Sequence, residues 1–283
     1  MTTDTPEVWV PDLSEATVYI VGGTSGVGLQ VARQLVRAGT QRIGLVGRNT
    51  ERGEKAAAEI RTLASGVWAF FAAGDVNDPA EAARVTEELS ASLGPADILI
   101  NSTVSAFTPQ LFHDTLPEDV PAILLQQALG PINMCRTVLP HMRAKHGGAI
   151  VNIASDAAKH PTPGESVIGA AMAAIVMFSK TLAMEAKRDG IRINAVTPSL
   201  IRDTAPTTVS WPSRSAPSSS RRPPDWRHWG SPSRSTWRTS CCFCAALRPV
   251  GSPGKRSARM VASRQGEGSS AAPQLVHTIL TDS

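Results

Sequence analysis

Five residues, Thr17-Val-Tyr-Ile-Val21, run straight into Gly22-Gly-Thr-Ser-Gly26-Val-Gly28, and the segment after that turn carries a helical stripe. Val27, Val31 and Leu35, with Ala32 and Val36 beside them, recur at i, i+4 and i+8 before Gly39. A strand that turns through glycines into a helix bends the backbone sharply and lets it approach a ligand with no Cβ in the way. The free N–H groups of the first helical turn then offer a partial positive charge to an anion. In this strand–turn–helix context, Gly22, Thr24, Ser25, Gly26, Val27 and Gly28 are predicted to hold a pyrophosphate.

The same alternation continues through the first 200 residues. Further strands are expected over 42–46, 67–72, 96–101, 149–154 and 191–196, with helices over 51–63, 79–93, 118–145 and 167–187. The strands are rich in Val and Ile without polar alternation, as in strands buried on both faces of a parallel sheet. The expected fold class is therefore α/β: a Rossmann-like, doubly wound parallel sheet in a three-layer αβα sandwich. Its ligands would lie at the C-terminal ends of the strands.

After the second strand comes Gly47-Arg48-Asn49. A carboxylate there would bond a free ribose 2′-hydroxyl, whereas an arginine suits a 2′-phosphate by charge and fork geometry. Arg48 thus favours NADP over NAD, the plainer reading being a solvated arginine at a strand end.

Charge divides the chain in two. Residues 1–200 hold 16 Lys+Arg against 20 Asp+Glu, while residues 201–283 hold 12 against 4. The basic balance belongs to the tail, which has 11 Arg but a single Lys and carries Cys241, Cys242 and Cys244. Residues 205–283 lack any helical or strand period and are expected to be disordered, with no seventh strand and no substrate lid. The composition reads as a frame-shifted stretch of a GC-rich gene, with nucleic-acid binding through the arginines as the alternative. One Cys-x-x-C pair without a second makes no zinc site, so no metal is expected. The longest apolar run, 168–178, is too short to span a bilayer, and the acidic start lacks a secretory signal's bases. The expectation is a soluble, cytoplasmic protein, with an N-terminal extension over 1–16, one domain over 17–204 and the tail over 205–283.

Over 17–204 the chain resembles a classical short-chain dehydrogenase/reductase. The glycine turn has that family's spacing. Asp75-Val76 resembles its adenine-receiving pair, Asn101 the start of its Asn-Asn-Ala-Gly stretch, and Asn194-Ala-Val-Thr-Pro198 the segment before the nicotinamide. The resemblance implies an oxidoreductase that binds NADP(H), with Pro198 and Ile201 at the nicotinamide end. Two departures stand out: the Asn-Asn-Ala-Gly stretch reads Asn101-Ser-Thr-Val104, and Pro-Gly reads Pro198-Ser199.

The family's chemistry uses a tyrosine as proton donor, a lysine four residues later, a serine and an asparagine. Aligned from Val151-Asn-Ile-Ala-Ser155, the serine is retained as Ser155, while Ile168 stands for the tyrosine and Met172 for the lysine. Phe178-Ser-Lys-Thr-Leu-Ala-Met-Glu185 fixes that register from the far side, and Gln127 stands for the asparagine. No slip restores the tyrosine, because the chain has only one, Tyr19, in the first strand. Asp156, His160 and Glu165 lie between the serine and the vacant tyrosine position, and His160 alone would titrate near neutrality. Cys135, with no partner in sequence, reads as core.

Three functions compete at this level. One is an oxidoreductase of carbonyl or alcohol substrates whose classical catalysis is lost, a pseudoenzyme. Another is a non-catalytic partner subunit that pairs with an active paralogue, or with itself, through helices 118–145 and 167–187, the family's dimer face. The last is an NADP-binding pocket repurposed for cyclisation or lyase chemistry, with His160 or Asp156 as base.

Overall fold

The computed structural model describes residues 12–103 and 107–198, together with the backbone of Thr278 and Ile279. Six strands run parallel: β1 (Thr17–Val21), β2 (Arg42–Gly47), β3 (Trp68–Ala73), β4 (Ile98–Asn101), β5 (Gly148–Ile153) and β6 (Ile191–Val196). Between them lie α1 (Gly26–Arg37), α2 (Thr50–Thr62), α3 (Pro79–Leu93), α4 (Asp119–Ala144) and α5 (Ser166–Ala186). The sheet order β3-β2-β1-β4-β5-β6 reverses direction between β1 and β4, the crevice where doubly wound sheets bind ligands.

The expected elements hold, with β1, α3 and β6 at the predicted limits. Tyr19 shows why β1 needs no polar alternation. Val18 and Ile20 enter the core shared with α1 and α2, while Tyr19 and Val21 enter the one shared with α3, α4 and α5. Both faces of the strand are covered, so all five of its residues are buried. The Tyr19 hydroxyl donates to the Gly94 carbonyl at 2.7 Å, and burial raises its pKa further above the usual phenol value.

Two expectations need correction. A seventh strand exists: β7 (Thr278–Ile279) pairs antiparallel with β6, Thr278 opposite Val196 and Ile279 opposite Ala195. Two residues suffice because the outer edge of β6 offers unpaired N–H and C=O groups to any extended segment. The remaining tail expectations, for 205–277 and 280–283, lie outside the described residues, as do Ile201 and Val104. Secondly, the apolar stretch is longer than the 168–178 run. Within Ser166–Asp189 an 18-residue stretch has a mean hydropathy of 1.8, and the helix is, by length and composition alone, long and apolar enough to cross a membrane. Its inner face, Met172, Ile175, Val176, Leu182, Ala183 and Ala186, packs into the protein core, which accounts for much of that apolarity.

Candidate functional site

Two helix starts beside the glycine turn are closed by side-chain caps. Asn49 caps α2 by accepting from the Arg52 N–H at 2.8 Å, and Asp78 caps α3 by accepting from the N–H groups of Ala80 and Glu81. Helix α1 begins after Ser25, whose side chain makes no capping bond, so the N–H groups of its first turn stay available. A Cβ placed on Gly26 would meet nothing within 4 Å, which leaves open space above that turn.

Two glycines beneath it are fixed by packing. A Cβ on Gly22, whose φ is +74°, would lie 2.4 Å from the Ser102 carbonyl oxygen, and one on Gly28 would lie 2.3 Å from the Gly22 oxygen. The turn is thus wedged between α1 and the end of β4, close to the Gly22 N–H bond to the Val46 carbonyl. Thr24 is buried, whereas Val27 packs its side chain against the α1–α2 core and contributes only backbone here.

Arg48 lies just past β2 and is exposed, with Nη1 4.0 Å from Asp75 Oδ2. Asp75 Oδ1 accepts from the Asn77 backbone and side-chain amides, while Val76 is buried under α4. Sequence reasoning missed Arg52. Its Nε donates to Thr24 Oγ1 at 3.2 Å, which brings a second guanidinium to the rim of the glycine turn. The signal was available: Arg52 stands four residues after Arg48, on the first turn of the next helix.

At the other end, the predicted residues come together without shared chemistry. Ser155 lies two residues past β5, and its Oγ accepts from the Ala157 N–H at 3.3 Å. Met172 is 5% exposed, packed with Ala154, Ile175, Val176 and Ala195, and Ile168 and Ala158 lie against the same group. Gln127 is buried on α4, and the Pro198 carbonyl accepts from the Asp156 N–H at 2.9 Å. Asn101 turns its side chain inward: Nδ2 donates to Asn152 Oδ1 at 2.8 Å, and Asn152 Nδ2 donates to Ser179 Oγ at 2.9 Å. His160 sits apart, its side chain 62% exposed and Nε2 3.8 Å from Asp156 Oδ1, which Lys159 Nζ also approaches at 3.4 Å. Cys135 is core, as expected, and burial pushes its thiol up to about 12. Among the described residues no group of His, Cys, Asp and Glu could hold a metal ion.

Glu165 precedes α5 without capping it, and burial raises its carboxyl above the usual range. Above that raised pKa the half-buried side chain is ionised and penalised in the folded state. Below the ordinary carboxylate value it is neutral in both states, and the penalty is absent. Glu165→Gln is therefore expected to raise Tm at pH 7, with the gain shrinking as the pH falls toward 4. Thermal melts at both values check it, and a gain that grows in acid would reject the assignment.

The sequence profile described as short chain dehydrogenase matches residues 16–214. Over 180 residues the chain is 33% identical to 2,3-dihydro-2,3-dihydroxybenzoate dehydrogenase of Bacillus subtilis, covering 64% of this chain and 67% of that protein. Carbonyl reductase family member 4 of Xenopus laevis is 32% identical over 184 residues, 65% of this chain and 74% of its own. Among solved structures, L-sorbose reductase from Gluconobacter frateurii, complexed with NADPH and L-sorbose, superposes with a TM-score of 0.62 at 33% identity. It covers 66% of this chain and 70% of its own. An NADPH-bound short chain oxidoreductase from Pseudomonas aeruginosa PAO1, described as containing an atypical catalytic center, gives 0.64 at 29% identity, covering 67% and 73%.

Proposed function

Since the chain belongs to the short chain dehydrogenase family, we propose that it binds NADP(H) in the crevice at the strand ends but has lost classical carbonyl reduction. The residues at the phosphate end fit the nucleotide: an uncapped α1, open space above Gly26, Arg52 on Thr24, and Arg48 exposed just past β2. Two solved relatives are described with NADPH bound, which supports the same cofactor here. When bound, the nicotinamide would supply a hydride. The chain's own residues would hold the pyrophosphate on backbone N–H groups and pair guanidinium groups with the 2′-phosphate.

The observation that carries the loss is the apolar group around Ile168 and Met172. Isoleucine has no proton to donate to a developing alkoxide, and methionine brings no positive charge to a ribose or phenolate. General acid–base help is worth roughly 10²–10⁴ in rate. Ketone reduction with NADPH is therefore expected at least about 10²-fold slower than for a tyrosine-bearing reductase assayed alongside. Matching rates would overturn the reading, and their loss in His160→Ala would identify the acid at work.

Exposed side chains favour a role beside catalysis. Leu125 on α4 and Met177 and Met184 on α5 are 50%, 62% and 74% exposed, an apolar load that solvent-facing helices seldom carry. We propose that these helices join a second subunit, either another copy or an intact relative. Sedimentation velocity checks the first case: a monomer that binds no intact relative would reject the proposal.

A further inference from the structure

We propose that recognition in this cleft resides in its adenosine-phosphate end alone, so that the protein takes adenosine nucleotides bearing a ribose phosphate with little regard to the group beyond the pyrophosphate. The inference rests on the NADP(H)-binding reading and deepens it.

The two ends differ in kind. The first carries charge and free donors: Arg48 and Arg52, the uncapped N–H groups of α1, and Asp75 facing Arg48. A doubly charged ribose phosphate set between two guanidinium groups gains charge-assisted, fork-shaped hydrogen bonds. Arg52 is already directed at the turn by its bond to Thr24 Oγ1, so little side-chain freedom remains to be lost on binding.

Among the described residues the second end is different: α5 opens uncapped after Glu165, and its charges face one another, Asp156 lying 3.4 Å from Lys159 Nζ and 3.8 Å from His160 Nε2. From Ser166 to Phe178, helix α5 has no ionisable side chain, and its first charge after Glu165 is Lys180. Met172 and Ile168 present only methyl and thioether surface, grouped with Ala154 and Ala158. The nearby polar atoms serve internal bonds. Asn101 Nδ2 donates to Asn152, Ser155 Oγ accepts from Ala157 N–H, and the Pro198 carbonyl accepts from Asp156 N–H. A second ribose with its two hydroxyls would leave water for a wall that offers them few partners, so its contacts add little to affinity.

Calorimetric titration of the full-length protein with NADPH, adenosine 2′-phosphate 5′-diphosphate and ADP tests this. The 2′-phosphorylated nucleotide lacking nicotinamide is expected to bind within about threefold of NADPH, with ADP at least about tenfold weaker than either. Arg48→Ala and Arg52→Ala, both at exposed positions, should weaken NADPH and the shorter nucleotide in parallel, by roughly tenfold each. NADPH tighter than the shorter nucleotide by about thirtyfold or more would overturn the inference while leaving NADP(H) binding intact. Absence of binding by all three would overturn the cofactor reading itself, and the inference with it.

Discussion

Replacing Gly22 by alanine is expected to destabilise the protein by about 2–4 kcal/mol and to abolish nucleotide binding. Two effects act together. The φ of +74° places an L side chain in the left-handed region, and the new Cβ would sit 2.4 Å from the Ser102 carbonyl oxygen. That oxygen belongs to backbone anchored by the Ser102 N–H bond to Val21, so it cannot yield as a flexible side chain would. Gly26→Ala separates the two effects. Its φ is +51° but its Cβ would meet nothing, so the cost should be only about 1–2 kcal/mol, with the methyl intruding where the pyrophosphate is placed. Urea denaturation combined with NADPH titration reads both quantities. Wild-type stability in Gly22→Ala would show that the turn relaxes, contrary to this account.

Asn152→Ala should cost about 2–4 kcal/mol, through its buried hydrogen bonds. Asn152 is fully buried and bridges three elements, accepting from Asn101 on β4 and donating to Ser179 on α5. Its removal leaves the buried Asn101 amide with only its longer contacts, to the Pro131 carbonyl at 3.4 Å and Cys135 Sγ at 3.8 Å. Ser179→Ala should be milder, because that hydroxyl donates to the Ile175 carbonyl of its own helix. Double-mutant coupling between Asn152 and Ser179 near zero would show that the bridge contributes nothing. A sizeable coupling would mean that α5, with Ile168 and Met172 on it, is held to the sheet through this polar chain.

The strand and helix succession, the buried parallel sheet and the glycine turn are all legible in the sequence. Each is written in neighbouring residues: Val and Ile runs without alternation, a 3.6-residue stripe in α1, and Pro79 after the capping Asp78 at the start of α3. Ile168 and Met172 stand where the family resemblance, counted from Ser155, puts its tyrosine and lysine, and they lie in one apolar group. Other features depend on residues far apart in the chain and emerge only on folding. Arg52 reaches Thr24 across 28 positions, and Asn101 meets Asn152 across 51, so no local period announces either bond. Asn101, expected at the cofactor, turns its side-chain N–H groups inward to the Asn152 Oδ1 and Pro131 carbonyl acceptors, while its Oδ1 is buried without a hydrogen-bond partner. The edge of β6 likewise took Thr278–Ile279 from a tail with no strand pattern, since an unpaired edge selects for extended backbone rather than for sequence.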